Sequence, residues 1–383
     1  MNIGILFPRS NTYPLIGSDF LEGIKAFIKK ESSEKEINFF IESIGFGGME
    51  KEVYAKTEKL LMLDDVDLLV AFIDEKILEL VKPLLLASGK LVLVVNTGAN
   101  HPVNWVPQSN ILHLNLQHSF LCAVTGSSAA QDIKNKYAAV CSSFYDCGYL
   151  HISSIVSEFQ NSGGIVKHNY INNQKVAKDF EFPEIIEYLK NEDEIKTLLA
   201  VFDSQPAGDF YKALNESTIT DLQLFVSPMM LESKALEKIN LINTLNISGY
   251  IPWHNTIPGN VNEDFISFYT THFKKQPSQF SVLGWETGIV IIEILRKHFE
   301  NLRDGETVVK QFNNSVLNSP RGKMKLDTKT QYFLLPAIRC TISPGNSKLE
   351  LEYNIDLENE WEEFSEKNTE GTVSGWTNTY LCY

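Results

Sequence analysis

The chain has 383 residues, of which 43% are apolar and 21% are charged, as in an ordinary folded protein of two or three domains. Its 34 Lys and Arg residues against 48 Asp and Glu residues leave a net charge of −14, which disfavours nucleic acid and anionic membrane surfaces as partners. No apolar run reaches the roughly 18 residues that cross a bilayer, so we expect a soluble protein.

Short apolar runs alternate with amphipathic stretches from the N-terminus onward, a pattern typical of a parallel sheet covered by helices on both faces. Strands are predicted at 3–7, 37–43, 68–72 and 91–95, with helices at 19–30, 50–63 and 77–87. The alternation restarts after residue 119, with helices at 120–134, 151–160, 182–190 and 209–215 and strands at 137–142, 164–170, 198–202 and 222–226. The sequence therefore predicts an α/β fold with two doubly wound, Rossmann-like lobes.

The chain continues beyond the second predicted sheet. A short strand is expected at 247–252, followed by helical patterns at 263–273 and 279–299 and, after 307–317, by antiparallel segments at 323–326, 332–340 and 349–353. The acidic run 356–366 surrounds Trp361 and Phe364. We interpret this run as a solvated tail or helix with two aromatic anchors.

Five cysteines are scattered along the chain, at Cys122, Cys141, Cys147, Cys340 and Cys382. They form no CxxC pair and no Cys/His spacing typical of zinc, so no metal is predicted, while the disulfide state stays open. The N-terminus lacks the basic, apolar and small-residue pattern of an export signal. Either a signal was removed or the protein stays inside the cell, and the sequence leaves both readings open.

Motifs of enzyme chemistry fail on spacing or context. Gly45, Gly47 and Gly48 lie where a dinucleotide fingerprint would, but Glu50 occupies the third glycine position, so we interpret the stretch as a loop. His113 and His118 are five residues apart, a spacing that brings them together on neither a strand nor a helix. Nucleophile elbows, P-loops and HExxH motifs are missing, and we predict neither catalysis nor a cofactor.

The predicted strand-to-helix loops are rich in hydroxyl, amide and aromatic side chains. Open α/β sheets bind ligands at the carboxyl ends of their strands. Hydrogen bonding and stacking without a nucleophile and base are typical of a small-molecule binding site, and two lobes that face one another can enclose a ligand by hinge closure. The residues therefore favour noncatalytic ligand binding.

The N-terminal segment 3–26 combines an apolar strand, a Pro-containing loop and a Gly-containing helix. Together with segments 66–94, 145–148, 163–166, 281–288 and 320–327, it resembles type I periplasmic solute-binding proteins of the branched-chain amino acid class. The order and spacing of these segments over nearly the whole chain carry the resemblance.

The resemblance implies a periplasmic binding protein-like fold in which three crossings form the hinge. Lobe one would comprise residues 1–118 plus 251–328, and lobe two residues 119–250 plus 329–383. It also implies a monomeric periplasmic component of an ABC importer that delivers a small polar solute, such as an amino acid, to a membrane permease. The alternative is a cytoplasmic ligand-sensing regulator of the same fold.

The resemblance also implies a ligand between the lobes. The matching positions are Tyr13, Asp74, Glu75, Thr97 and Gly98 on lobe one, Tyr145, Asp203, Ser204 and Met229 on lobe two, and Trp253 just past a crossing. Asp74 equally suits a helix N-cap, and the tyrosines and Met229 equally suit packing. The acidic pair, and a methionine where the family tends to offer a carboxylate, disfavour a free branched-chain amino acid.

Overall fold

The computed structural model describes residues 1–31, 37–131, 136–174, 179–217, 219, 221–237, 239, 245–298, 303–313, 315–346, 348–367 and 375–376. They form two α/β lobes, each built on a sheet that is wholly or largely parallel. This architecture confirms the predicted fold class.

The first lobe is built on a parallel five-stranded sheet of order β2-β1-β3-β4-β5. Its strands are β1 (Asn2–Phe7), β2 (Asn38–Ser43), β3 (Leu68–Phe72), β4 (Leu91–Asn96) and β5 (Ile111–Asn115), and its helices are α1 (Ile16–Lys30), α2 (Glu50–Glu58) and α3 (Glu75–Ser88). Every residue of β3, β4 and β5 is buried, as expected for strands covered on both faces. β5 was not among the predicted strands.

The second lobe begins with the same alternation. Its helices are α4 (His118–Ala130), α5 (Leu150–Asn161), α6 (Pro183–Asn191), α7 (Ser204–Glu216) and α8 (Ser233–Leu236), and its parallel strands are β6 (Tyr137–Ser143), β7 (Ile165–Asn172), β8 (Thr197–Val201), β9 (Gln223–Val226) and β10 (Asn246–Ile251). Short 3₁₀ turns at Asp146–Gly148 and Pro228–Leu231 follow β6 and β9. These turns lie at the carboxyl edge of the sheet.

After β10 the chain returns to the first lobe. This part contains α9 (Asn260–Phe273), α10 (Gln279–His298), α11 (Gly305–Phe312) and a small antiparallel sheet of β11 (Val316–Ser319), β12 (Gly322–Leu326) and β13 (Phe333–Leu334). Arg321, in the β11–β12 turn, is fully buried and donates to Glu286 of α10 from Nε at 2.8 Å and from Nη2 at 2.6 Å. This buried ion pair fixes the hairpin against α10.

The last strands rejoin the second lobe. β14 (Ala337–Ile342) and β15 (Glu350–Ile355) are antiparallel, and they complete a seven-stranded sheet of order β15-β14-β10-β9-β8-β6-β7. The single strand predicted at 332–340 is therefore wrong. It divides around Pro336, which has no N–H to donate to a sheet, and its two halves join different sheets.

The strand pairing bears on one predicted lobe boundary. β13 lies beyond residue 328 but pairs with β12, and Tyr332 forms an isolated bridge with His113 of β5. Residues 332–334 therefore contact strands assigned to lobe one, although they lie beyond residue 328. The predicted division, 1–118 plus 251–328 and 119–250 plus 329–383, stays a prediction.

The acidic run near the C-terminus is a helix, α12 (Glu358–Glu366). Its aromatic side chains Trp361 and Phe364 are buried, and Trp361 packs edge-to-face on Phe120 of α4 at a centroid distance of 5.2 Å. The reading as a helix with two aromatic anchors is correct.

Candidate functional site

Side chains from both lobes meet where the carboxyl ends of the two sheets face each other. Tyr13, after β1, donates its hydroxyl to Oε2 of Glu232, after β9, at 2.5 Å. Gln279, at the start of α10, donates to Glu232 Oε1 at 2.7 Å. Thr12 Oγ1 donates to Asp203 Oδ2 at 3.4 Å. These hydrogen bonds join lobe one to lobe two, so the structure has a closed cleft.

The local structure around Tyr13 fixes its ring. Its backbone N–H donates to Ser10 Oγ at 2.9 Å, and its carbonyl accepts from the N–H of Ile16 at the start of α1. Its ring packs edge-to-face on Phe280 at 5.2 Å. The hydroxyl is thus held towards lobe two.

Three second-lobe carboxylates follow three neighbouring strands. Asp146 lies in the turn after β6, Asp203 precedes α7 after β8, and Glu232 follows the turn after β9. Asp146 Oδ2 accepts from Ser143 Oγ at 2.5 Å and from the backbone N–H of Asp203 at 3.1 Å. The parallel sheet brings these acids to one edge, and Asp203 and Glu232 reach the first lobe.

The site disfavours additional negative charge. Burial raises the pKa of Glu232 to about 7, and burial followed by the charge of Asp146 raises the pKa of Asp203. The pKa of Tyr13 is also raised, first by burial and then by Glu232, Asp203 and Asp146. Lys234, which is exposed, lowers the pKa of both Glu232 and Asp203 but only in part offsets their burial.

Asp74 and Glu75 lie at the N-terminus of α3 and are hydrogen-bonded to residues other than those of the Tyr13–Glu232 contact. Asp74 is the N-cap: its Oδ1 accepts from the N–H of Lys76 at 3.2 Å, and both its oxygens accept from Asn100 Nδ2, at 3.0 and 2.9 Å. Glu75 Oε1 accepts from the Tyr332 hydroxyl at 2.8 Å. Burial raises the pKa of each carboxyl to about 7. The N-cap reading of Asp74 is correct.

Thr97 and Gly98 form a buried turn after β4 that is bonded to the first crossing. Their carbonyl groups accept from the N–H groups of His118 at 3.1 Å and Ser119 at 2.7 Å. Gly98 has φ +73°, and a Cβ there would lie 2.8 Å from the nitrogen of Gln117. The next residue, Ala99, accepts from the N–H of Leu150 of lobe two at 3.1 Å.

Tyr145 lies at the second-lobe edge beside a tryptophan from the C-terminal segment. Trp376 Nε1 donates to the Tyr145 carbonyl at 2.7 Å, and the indole ring lies 6.0 Å from Phe144 and 6.3 Å from the Tyr145 ring. A Cβ on Gly148 would come within 1.7 Å of the indole nitrogen. Trp376 therefore covers part of the wall expected for the ligand.

Met229 is fully buried and belongs to the apolar cluster of the first lobe, although it follows a second-lobe strand. Its packing role matches the apolar alternative.

Trp253 donates from Nε1 to Asn262 at 3.0 Å and packs on Phe265. Ser204 is the first residue of α7, but its side chain lies outside the described part of the structure.

Sequence reasoning missed Glu232, Asp146 and Gln279. The resemblance places Met229 at the position where the family tends to offer a second-lobe carboxylate, and in the structure the carboxylate that reaches lobe one is Glu232, three residues later. A signal was present for Asp146, which follows an apolar strand in a loop predicted to bind ligand, whereas Glu232 lies one residue beyond such a loop. The partner of Glu232 is 219 residues away, so the sequence alone could not select it.

Within the described residues, no group of three His, Cys, Asp or Glu side chains is placed to hold a metal ion. The four cysteines in this part of the chain are unpaired thiols, which settles the question left open for Cys141 and Cys147. Of the helices described, none is both long and apolar enough to span a bilayer.

The family comparison decides the identity of the fold. A family model described as periplasmic binding protein matches residues 1–334. The chain belongs to this family. No protein of curated function matches the sequence of this binding protein.

Solved structures of binding proteins share its fold at low sequence identity. An ABC transporter substrate-binding protein from Sphaerobacter thermophilus has a TM-score of 0.77 at 15% identity, covering 93% of this chain and 98% of that one. A Rhodopseudomonas palustris solute-binding protein in complex with benzoate has a TM-score of 0.72 at 16% identity, covering 93% and 97%. LivJ from Streptococcus pneumoniae, a branched-chain amino acid transporter substrate-binding protein in complex with isoleucine, has a TM-score of 0.66 at 13% identity, covering 92% and 99%.

Proposed function

We propose that this protein is the solute-binding component of an ABC importer and that its solute carries a positively charged amino group. The observation that supports this proposal most directly is the interlobe hydrogen bond between Tyr13 and Glu232. Asp203 and Asp146 lie at the same carboxyl edge of the second-lobe sheet. Family membership supports binding without catalysis. An extracytoplasmic, monomeric protein that hands its solute to a permease follows from the same proposal.

Electrostatics favour a cation in this cleft. Glu232 and Asp203 are partly buried acids whose pKa values are raised. Their hydrogen bonds and the nearby Lys234 offset only part of the cost of burying the ionised forms. An ammonium group about 4 Å from one carboxylate gains about 4 kcal/mol at an effective dielectric constant near 20. A bound cation therefore stabilises the ionised carboxylates, and closure of the first lobe over them shields this attraction from water.

A carboxylate on the solute finds no equivalent partner at α3. The N-terminus of a helix is a natural anion site, but the N–H of Lys76 already binds the carboxylate of Asp74. Benzoate and isoleucine, the ligands named for two related structures, both carry a carboxylate. We propose a solute whose amine has no carboxylate beside it.

We retain the predicted site residues as proposals with different roles. Tyr13 and Asp203 contact the solute together with Glu232, while Tyr145, Thr97, Gly98, Ser204 and Trp253 border it. Asp74 and Glu75 are assigned to the support of α3, because their hydrogen bonds run to Asn100 and Tyr332. Met229 packs the lobes together.

Matched ligand pairs test the solute class. Benzylamine is compared with benzoate, and 2-methylbutylamine with isoleucine, by thermal shift and calorimetry. The first pair exchanges an ammonium group for a carboxylate on a phenyl ring, and the second removes the carboxylate of isoleucine but keeps its ammonium group. We expect the amines to raise the melting temperature and the acids to have little effect. Stabilisation by benzoate or isoleucine alone would overturn the cationic assignment.

A variant pair locates the binding. Glu232→Gln removes the carboxylate from the cleft, and we expect at least about tenfold weaker amine binding, from the loss of one charged hydrogen bond. Glu237→Gln makes the same charge change at an exposed position outside the cleft and should bind like the parent. If Glu232→Gln and Glu237→Gln bind the amine with equal affinity, the proposed binding site is wrong. If the native protein is found only in the cytoplasm, the proposed role in an ABC importer is wrong.

A further inference from the structure

A second cavity of about 580 Å³ lies on the flank of the first lobe. Its walls are α3, the segment 100–108, His113 of β5, the segment around Tyr332, and Leu150. Tyr13, Asp203 and Met229 do not line it, so it is distinct from the cleft network. Its volume is within the range of small-molecule sites.

Three side chains that line this cavity each carry a buried polar atom with no hydrogen-bond partner among the described residues. These atoms are Asn100 Oδ1, Trp105 Nε1 and His113 Nδ1. Asn100 is only 4% exposed and His113 only 7% exposed. Buried polar groups are nearly always satisfied in folded proteins, so three unsatisfied atoms in side chains that line one cavity indicate a missing partner.

The side chains that carry these atoms are held in place. Asn100 Nδ2 donates to both oxygens of Asp74, which leaves Oδ1 as a free acceptor and fixes the orientation of the amide. The Trp105 ring packs edge-to-face on Tyr332 at 5.0 Å and on Trp361 at 5.1 Å. His113 stacks on Tyr332 at 4.2 Å with an interplanar angle of 9°. The donor and acceptor are thus preorganised.

Groups of both charge signs surround the cavity. Lys76 and Lys82 line it together with Glu79 and with Glu75, whose pKa burial raises to about 7. Burial lowers the pKa of His113 to about 3, so its imidazole is neutral near pH 7. An uncharged ligand therefore suits this cavity better than an ion.

We propose that this cavity is a second ligand site that takes a small neutral cyclic amide, a ring in which an N–H stands beside a C=O. The carbonyl group accepts from Trp105 Nε1, and the N–H donates to Asn100 Oδ1. The ring packs against the aromatic wall formed by Trp105 and Tyr332. Such a ring presents both complements side by side on one rigid, flat frame.

The indole N–H of Trp105 reports directly on this site. In ¹H–¹⁵N spectra of the full chain titrated with 2-pyridone, we expect a saturable shift of this resonance with a dissociation constant on the order of 1 mM, as a fragment of this size allows. N-methyl-2-pyridone, which lacks the N–H, should bind at least about fivefold more weakly, because one hydrogen bond is lost. The resonance is assigned with Trp105→Phe, or by triple-resonance spectra if that variant does not fold.

Glu232→Gln separates this site from the interlobe cleft. The variant should bind 2-pyridone like the parent, whatever the outcome of the amine titrations. No shift of the Trp105 resonance at saturating probe, or a shift of other indole resonances only, overturns the second site. Equal binding of the N-methylated probe overturns its assignment to a cyclic amide.

Discussion

Glu75 is a buried carboxyl group whose hydrogen-bond donors are neutral. Its Oε1 accepts from the Tyr332 hydroxyl at 2.8 Å and from Asn96 Nδ2 at 3.3 Å. Burial is the largest cause of its raised pKa, and the negative charge of Asp74 adds to it. The ionised form therefore costs stability that these two hydrogen bonds recover only in part.

The raised pKa of Glu75 gives a pH dependence of known sign. The pKa rises from 4.5 in the unfolded chain to about 7 in the fold, so between these values the folded state binds more protons. The free energy of unfolding therefore falls as pH rises through this window and stays lower above it. We expect Glu75→Gln, which mimics the neutral acid, to stabilise the protein by about 1–3 kcal/mol at pH 8 and to have little effect near pH 4.

Urea unfolding at both pH values measures this difference. Glu50→Gln is the matched control, because Glu50 is an exposed acid at the start of α2 and is not among the charges that raise the pKa of Glu75, and it should leave the pH profile of the parent unchanged. A Glu75→Gln profile parallel to that of the parent would show that Glu75 is ionised in the fold without penalty.

The structural role of Asp74 can be predicted from the sequence more readily than that of its neighbour Glu75. Asp74 precedes an amphipathic run, the usual place of an N-cap, and this reading is correct. The partner of Glu75 is Tyr332, 257 residues away. No local pattern identifies such a contact, so the role of Glu75 emerges only from the fold.

Among the elements, α1 and α10 are packed with their backbones in close approach. A Cβ on Gly284 of α10 would lie 2.0 Å from the carbonyl oxygen of Phe20 of α1, and a Cβ on Gly23 would lie 2.2 Å from that of Ser281. Real Cβ atoms do not approach backbone oxygen this closely. Glycine at both positions therefore sets the distance between the two helices.

We expect Gly284→Ala to force the helices apart and to destabilise the first lobe by about 1–3 kcal/mol, as overpacking does. The measurement is the free energy of unfolding in urea. Gly89→Asn is the control, because Gly89 has φ +65° and a Cβ added there would meet no atom within 4 Å, a conformation that asparagine tolerates. Similar losses in both variants would mean that the helix contact is not the cause.

Element prediction succeeds where a repeated pattern is strong. The alternating strands and helices of both lobes follow from hydrophobic periodicity, whereas β5 (Ile-Leu-His-Leu-Asn) is short and contains His113 and Asn115. It is recognisable only through its pairing with β4. The division of 332–340 between two sheets depends on the path of the chain, which no local signal records.

At the scale of the molecule, a few polar contacts join the lobes across the closed cleft, beside the apolar contact of Met229. Tyr13 and Gln279 of lobe one both bind Glu232, and the N–H of Leu150 donates to Ala99. The resemblance predicted two lobes and three crossings, but it could not identify the residues that meet. Small polar contacts of this kind suit a hinge that must also open, because each contributes only about 1 kcal/mol, or somewhat more where one partner is charged.

Tyr13→Phe tests whether these contacts hold the lobes together. The variant keeps the ring on Phe280 but removes the hydroxyl that binds Glu232, and a hydrogen bond to a charged group contributes about 1.5–3 kcal/mol. The loss should shift the balance towards an open form by roughly tenfold or more, increase the radius of gyration in small-angle scattering, and weaken amine binding.

Tyr54→Phe is the control for Tyr13→Phe, because Tyr54 is 41% exposed and lies on α2, away from the cleft. Scattering and calorimetry on the parent and both variants decide the outcome. If Tyr13→Phe keeps the radius and the affinity of the parent, the Tyr13–Glu232 bond is incidental to closure. The closed cleft must then rest on the other interlobe contacts, which are the hydrogen bonds of Gln279 with Glu232, Thr12 with Asp203 and Leu150 with Ala99, and the apolar contact of Met229.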